Sequence, residues 1–236
     1  MHKVTDLNRE GVLHACEKLI NNGRSNTIVT LNSLMIMKSW HDERMSDAIS
    51  NASLITADSV GISIASVILD KRTVRRYPGI EMMEDIISRG WKVFFLGSRD
   101  GVASKAAENM SGKYPRARIC GAYHGYFNSS ESDHVIDIIN TCCPDVLFVG
   151  MNMMRQEKWI DANRDRIKAG IIIGVGGSFD VISGNLPRAP YILRAAGYEW
   201  LWRMIIQPKR IIRVIKLPVF MVEVLWRLFR GEGLLI

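Results

Sequence analysis

Asp58 follows the apolar run Leu54-Ile55-Thr56-Ala57 and precedes Ser59-Val60-Gly61, so it stands where a strand gives way to a turn. A carboxylate there can serve as a general base, taking the proton of an attacking hydroxyl. The same residue suits the N-cap of the apolar, helix-compatible run from Gly61 to Leu69, and one side chain can do both jobs. A second candidate is Gly174-Val175-Gly176-Gly177-Ser178-Phe179-Asp180, which follows a run of isoleucines. Glycines such as Gly176 and Gly177 let backbone N–H groups approach a phosphate or a ribose, although a tight turn without ligand uses the same residues. The loop is not the Gly-x-Gly-x-x-Gly dinucleotide fingerprint, because position 179 is Phe. Asp180 fits either ribose hydroxyls or a helix cap. Gln156 opens the helix-compatible segment Gln156-Glu157-Lys158-Trp159. Its amide can bind sugar hydroxyls without adding charge, or it can simply be exposed in a first turn.

No Asp-x-Asp occurs in the chain, the pair through which many nucleotide-sugar enzymes hold a divalent metal on a diphosphate. Arginine is the natural substitute, since its planar fork pairs with phosphate oxygens in bidentate fashion. Arg203, Arg210 and Arg213 lie together near the C-terminus, the last two sharing a face if that segment is helical.

These residues need a scaffold, and the spacing from Trp91 onward supplies one. Lys92–Gly97, Ala117–Tyr123, Val146–Gly150 and Gly170–Gly174 read as strands, separated by helical segments at Gly101–Met110, His134–Asn140 and Gln156–Ile167. Short apolar strands alternating with helices predict right-handed crossovers and a parallel sheet covered on both faces, a Rossmann-like α/β body. Before Trp91 the pattern is fainter, with strands expected at Thr27–Leu31 and Leu54–Thr56 and helices near Gly11–Ile20 and Met45–Ala52. Ligands of open α/β sheets bind outside the carboxyl ends of the strands, which singles out Thr30, Asn32, Asp58, Ser98, Arg99, Asn152 and the glycine loop. After Leu186-Pro187-Arg188-Ala189-Pro190 the alternation stops. The expected division is a core over 1–190 and a helical, basic appendage over 191–236.

Length allows one α/β domain with a sizeable core, and 47% apolar with 23% charged residues exclude a disordered chain. The charge is lopsided. Of the net +7, residues 187–236 hold nine basic against three acidic side chains, a net +6, leaving +1 for the rest. That partition suits an anionic surface or a diphosphate better than a nucleic acid. Trp200, Trp202 and Trp226 stand among the basic and apolar residues of this tail, as in a helix lying at a membrane interface; an amphipathic helix packed on the body uses the same composition. The run Leu217–Trp226 is far shorter than the roughly 20 residues that span a bilayer. Cys16, Cys120, Cys142 and Cys143 have no metal-ligand spacing and read as reduced thiols, and the first residues show no apolar signal segment. A cytoplasmic protein peripherally associated with the membrane is expected. Chemistry alone leaves a nucleotide-dependent oxidoreductase and a non-enzymatic membrane-surface module as alternatives.

Taken in order, Thr30-Leu31-Asn32, Ala57-Asp58-Ser59-Val60-Gly61, Gln156-Glu157-Lys158-Trp159, Gly174 to Asp180, Arg188-Ala189-Pro190, Glu199-Trp200-Leu201-Trp202-Arg203 and Gln207-Pro208-Lys209-Arg210 resemble the WecG/TagA/CpsF family of bacterial glycosyltransferases. The resemblance runs from about residue 4 to residue 215. It implies an inverting, metal-independent transfer from a UDP-sugar, often N-acetylmannosamine or its uronic acid, to an undecaprenyl-diphosphate-linked sugar. By the same resemblance Asp58 is the base, Thr30, Asn32 and Gln156 line the sugar pocket, and the loop with Gly176, Gly177 and Asp180 holds the nucleotide. Arg203, Arg210 and Arg213 would close over the diphosphate. Ser59 stands where the family often has Gly, and Met154-Arg155 where it often has Pro, departures that bear on the donor sugar. The implied partners are a UDP-sugar donor, a lipid-linked acceptor and the cytoplasmic face of the inner membrane, with no nucleic acid and a homo-oligomer left open. No cofactor and no metal are expected beside the UDP-sugar co-substrate.

Overall fold

The computed structural model describes residues 4–195, 197–208 and 215–235, and for Trp200 and Arg203 the backbone only. Six strands form one all-parallel sheet in the order β2-β1-β6-β5-β3-β4. They are β1 Asn26–Leu31, β2 Leu54–Ala57, β3 Lys92–Gly97, β4 Arg118–Tyr123, β5 Val146–Gly150 and β6 Ile171–Gly174. The Rossmann-like expectation holds, and each predicted strand is present within a residue or so of its predicted ends. From β1 the chain turns outward to β2, and from β3 outward to β4, so β6 and β5 fill the middle of the sheet. The ends of β1, β6, β5 and β3 therefore stand side by side.

Both faces of the sheet are covered because most residues of the strands are apolar on either side, and period-2 alternation sends neighbours to opposite faces. Val93 and Phe95 enter one apolar cluster, with Ile171, Ile173 and Phe179, while Phe94, Leu96 and Ile172 enter another. The first cluster is covered by α1 Arg9–Ile20, α5 Gly79–Ser88 and α6 Val102–Lys113. The opposite face is covered by α7 Ser132–Cys142 and α8 Met153–Asn163, and at the β1–β2 edge by α2 Ser33–Ser39, α3 Glu43–Ser50 and α4 Val60–Asp70. Side-chain caps start several of these helices: Asn8, Asn32, Asp42 and Asn152 each accept a backbone N–H of the first turn.

After β6 come α9 Ser178–Ile182, α10 Tyr191–Ala195, α11 Glu199–Ile206 and α12 Lys216–Phe229. The last of these docks on α4 and α2. Its Phe220 and Val224 are buried in the cluster that holds Val29, Leu31 and Ile62, and Leu234 and Leu235 join them there. Phe220 stacks on Trp40 at 5.9 Å, and the Arg227 guanidinium lies over the same indole at 4.6 Å. Of the four cysteines, Cys16 is buried, Cys120 and Cys142 are half-buried and Cys143 is exposed.

Candidate active site

Parallel pairing brings Thr30 level with Thr56 and Leu31 level with Ala57, so Asp58 leaves the sheet just past the end of β1. Its N–H donates to the Leu31 carbonyl at 2.8 Å. Its carboxylate does not cap the helix that follows it. Ser59 stands at the N-cap of α4 and makes no side-chain cap, whereas Asp58 Oδ1 accepts the N–H of Gly79, at 2.8 Å, in the first turn of α5. The reason is tertiary. Residues Arg76 and Tyr77 run beside Ala57, Tyr77 N–H donating to the Ala57 carbonyl at 2.7 Å, and this delivers the start of α5 to the strand end. The free N–H groups of a helix start favour a negative charge.

Gly79 packs closely on Thr30. A Cβ there would lie 3.3 Å from Thr30 Oγ1 and 3.5 Å from its methyl group. Thr30 is buried and donates its hydroxyl to the Gly174 carbonyl at 2.9 Å. One line of contacts thus joins Asp58, Gly79, Thr30 and the head of the glycine loop. Asn32 borders the same strand ends, but its Oδ1 accepts the N–H groups of Leu34 and Met35 and so fixes the start of α2.

The other side of the site is built by β5 and β6. Gln156 is not an exposed first-turn residue; it is 4% exposed, and its Oε1 accepts the N–H of Gly176 at 2.9 Å and of Met151 at 3.4 Å. Its Nε2 donates to Glu157 Oε1 at 2.8 Å. Gly176 has φ +51°, a left-handed turn that carries the chain into α9 behind Gly177. Asp180 is not the cap of α9 but sits in its first turn, where Oδ1 accepts the Ser98 hydroxyl from the end of β3 at 3.0 Å. Ser98 itself has φ +57°. At Gly97 a Cβ would lie 2.2 Å from the Gly150 carbonyl, which explains why the strand ends next to the loop are glycines.

Two residues of the site escape a reading by pattern. Gly79 carried a legible signal in the Pro78-Gly79 pair ahead of an apolar helical segment, yet its partner Asp58 is 21 residues away. Glu157 lies next to Gln156 but is buried at 5% exposure, and burial pushes its carboxyl up to about 7. It borders a cleft of about 400 Å³ between α3 and α8, with Arg44, Lys158 and Asp161.

Of the arginines, Arg203 lies on α11 with its side chain outside the described part, and Arg210 and Arg213 lie outside the described residues. The segment before them is tied to the body by Arg188, paired with Glu84 at 2.8 Å, and by Arg76, which donates to the Arg194 carbonyl at 2.8 Å. Trp202 Nε1 donates to the Pro187 carbonyl at 3.2 Å. Among the described residues no three His, Cys, Asp or Glu side chains gather as a metal site.

The sequence is similar to known proteins over most of its length. The family description "Glycosyl transferase WecG/TagA/CpsF family" matches residues 2–233. The N-acetylglucosaminyldiphosphoundecaprenol N-acetyl-beta-D-mannosaminyltransferase of Staphylococcus aureus strain NCTC 8325 / PS 47 is 34% identical over 201 residues, covering 84% of this chain and 78% of the relative. The enzymes of the same name from strains COL and MRSA252 match equally, at 34% identity over the same 84% and 78%.

Proposed function

The chain belongs to the WecG/TagA/CpsF family of glycosyl transferases, and from that premise we propose that it moves N-acetylmannosamine, its uronic acid or a related hexose from a UDP-sugar to an undecaprenyl-diphosphate-linked acceptor. A glycosyltransferase family leaves no place for the oxidoreductase alternative. The observation that carries the reading is the contact line from Asp58 through Gly79 and Thr30 to Gly174, which sets a carboxylate at the end of β2 and the glycine loop at the end of β6 on either side of Thr30 in β1.

In this mechanism Asp58 takes the proton of the acceptor hydroxyl as its oxygen bonds to the anomeric carbon. The bond from that carbon to the UDP oxygen breaks on the opposite face, and configuration inverts. The loop with Gly176, Gly177 and Asp180 receives the nucleotide, and Thr30, Asn32 and Gln156 border the sugar, the last two through the elements they brace. Arg203, Arg210 and Arg213 offset the charge of the departing diphosphate without a metal; their assignment rests on the family resemblance.

The acceptor lies in a membrane, and α12 suits that setting. Ile215, Val219, Val222, Trp226 and Phe229 recur at intervals of three and four on the face opposite Phe220 and Val224, and Phe229 is 87% exposed. Lys216 and Arg230 flank this stripe. No helix of the described residues is long and apolar enough to cross a membrane. We assign the stripe to the interface, within an appendage 191–236 that joins a core 1–190.

The test is transfer by the purified protein from a panel of UDP-sugars to a diphospholipid-linked N-acetylglucosamine, with and without EDTA. Transfer from a mannosamine-type donor that survives EDTA is expected. No product from any donor sinks the reading, and abolition by EDTA sinks its metal-free part.

A further inference from the structure

Gln156 presents its amide to the glycine loop in one orientation only. Its oxygen must face the N–H groups of Gly176 and Met151, because the NH₂ end turned that way would set donor against donor. What holds the amide so is the group at its other end, Glu157 Oε1, which accepts from Nε2 at 2.8 Å. Both side chains are buried, so water is a poor substitute for either partner. Gly174 makes room for the pair: a Cβ there would lie 2.0 Å from Gln156 Nε2 and 2.8 Å from Glu157 Oε1.

A buried carboxyl is a costly way to fill space, and this one has no ion-pair partner among the described residues. The charged groups around it are Arg44 on α3, Lys158 and Asp161 on its own helix and Arg164 at that helix's C-cap, while β1 and β6 offer Thr27 and apolar side chains. An apolar residue would pack at lower cost but could not accept from Gln156.

We propose that Glu157 is a positioning residue: by accepting from the Gln156 amide it fixes which end of that amide faces the loop, and so holds the backbone turn at Gly176 in the shape that receives the donor's nucleotide. This rests on the reading that the loop receives the nucleotide. It adds a second requirement to the Gln-Glu pair. Gln156 touches the loop, and Glu157 acts through Gln156.

The experiment compares Glu157→Gln, which keeps an acceptor oxygen, with Glu157→Met, which removes it at similar length. Backbone amide exchange at Gly176 and Met151 is measured without ligand, UDP affinity by calorimetry, and kcat and KM for donor and acceptor separately. Glu157→Gln is expected to match the parent protein in all of these. Glu157→Met should exchange faster at both amides and bind UDP about tenfold more weakly, the equivalent of about 1.4 kcal/mol for one lost hydrogen bond to a buried group. Donor KM should rise in step, with kcat and acceptor KM little changed. If Glu157→Met keeps both amides protected, or if Glu157→Gln is as impaired as Glu157→Met, the proposal is overturned. Faster exchange with unchanged UDP affinity would instead overturn the nucleotide reading of the loop, and this inference with it. Should Glu157→Met not fold, Gly174→Ala displaces the same pair from the strand side and takes its place in each comparison.

Discussion

Asp58 and Glu157 are two carboxyls with different partners, and each makes a separate prediction. Asp58 stands at the start of α5, where its Oδ1 accepts the Gly79 N–H. Asp58→Asn keeps an oxygen for the Gly79 N–H but removes the proposed base, so kcat should fall about 10²- to 10⁴-fold. UDP affinity should stay near that of the parent, as calorimetry beside initial rates would reveal. Glu157 is desolvated, and its carboxyl is raised from 4.5 to about 7. A group raised on folding contributes stability that is full below its unfolded value and is lost as pH climbs through the folded one. Denaturation midpoints of the parent should therefore decline between about pH 4.5 and pH 7 relative to Glu157→Gln, which carries no titrating proton there. A gap between the two proteins that stayed constant with pH would contradict this. Asp58 was visible in sequence as a polar residue at a strand end, but its partner was not, since Gly79 is brought to it by the path of residues 76–79 along β2.

Among the elements, α12 has two working faces. Phe220 is 1% exposed and stacks on Trp40, so Phe220→Ala should cost about 3–5 kcal/mol of stability in chemical denaturation. Trp226→Glu with Phe229→Glu lies on the other face and should leave the denaturation midpoint in place while reducing co-sedimentation with anionic vesicles. If the double variant still sediments like the parent, the stripe is not the membrane contact. Element by element, the strands Lys92–Gly97 and Val146–Gly150 were readable to the residue because buried parallel strands are unbroken apolar runs. The helices α2 and α5 were not read. α2 is only 7 residues long, too short for periodicity to speak, and its start depends on the Asn32 cap.

For the whole molecule, the decisive fact is that α12 and the residues after it are packed into the body. Truncation after Ala195 removes Phe220, Val224, Leu234 and Leu235 from the cluster around Ile36 and Ile62. The truncated protein should show a lower denaturation midpoint together with loss of vesicle binding and transfer, whereas an unchanged midpoint would mean that the cluster does not need its C-terminal members. The sequence by itself determined the α/β class, the parallel strands, the glycine loop and the basic, aromatic C-terminal region, because all of these are local: strand and helix periods, turn residues and charge are written within short windows. It also ordered the motifs that mark the family. Only the tertiary structure decided who meets whom. Placing β6 between β1 and β5 sets Thr30 on Gly174 across 144 residues, turns Asp58 from the cap of its own helix to the start of another, and buries Gln156 and Glu157 against the loop. Those pairings depend on strand order and crossover paths, which no local pattern encodes, and they make the site of residues that sequence could mark only one at a time.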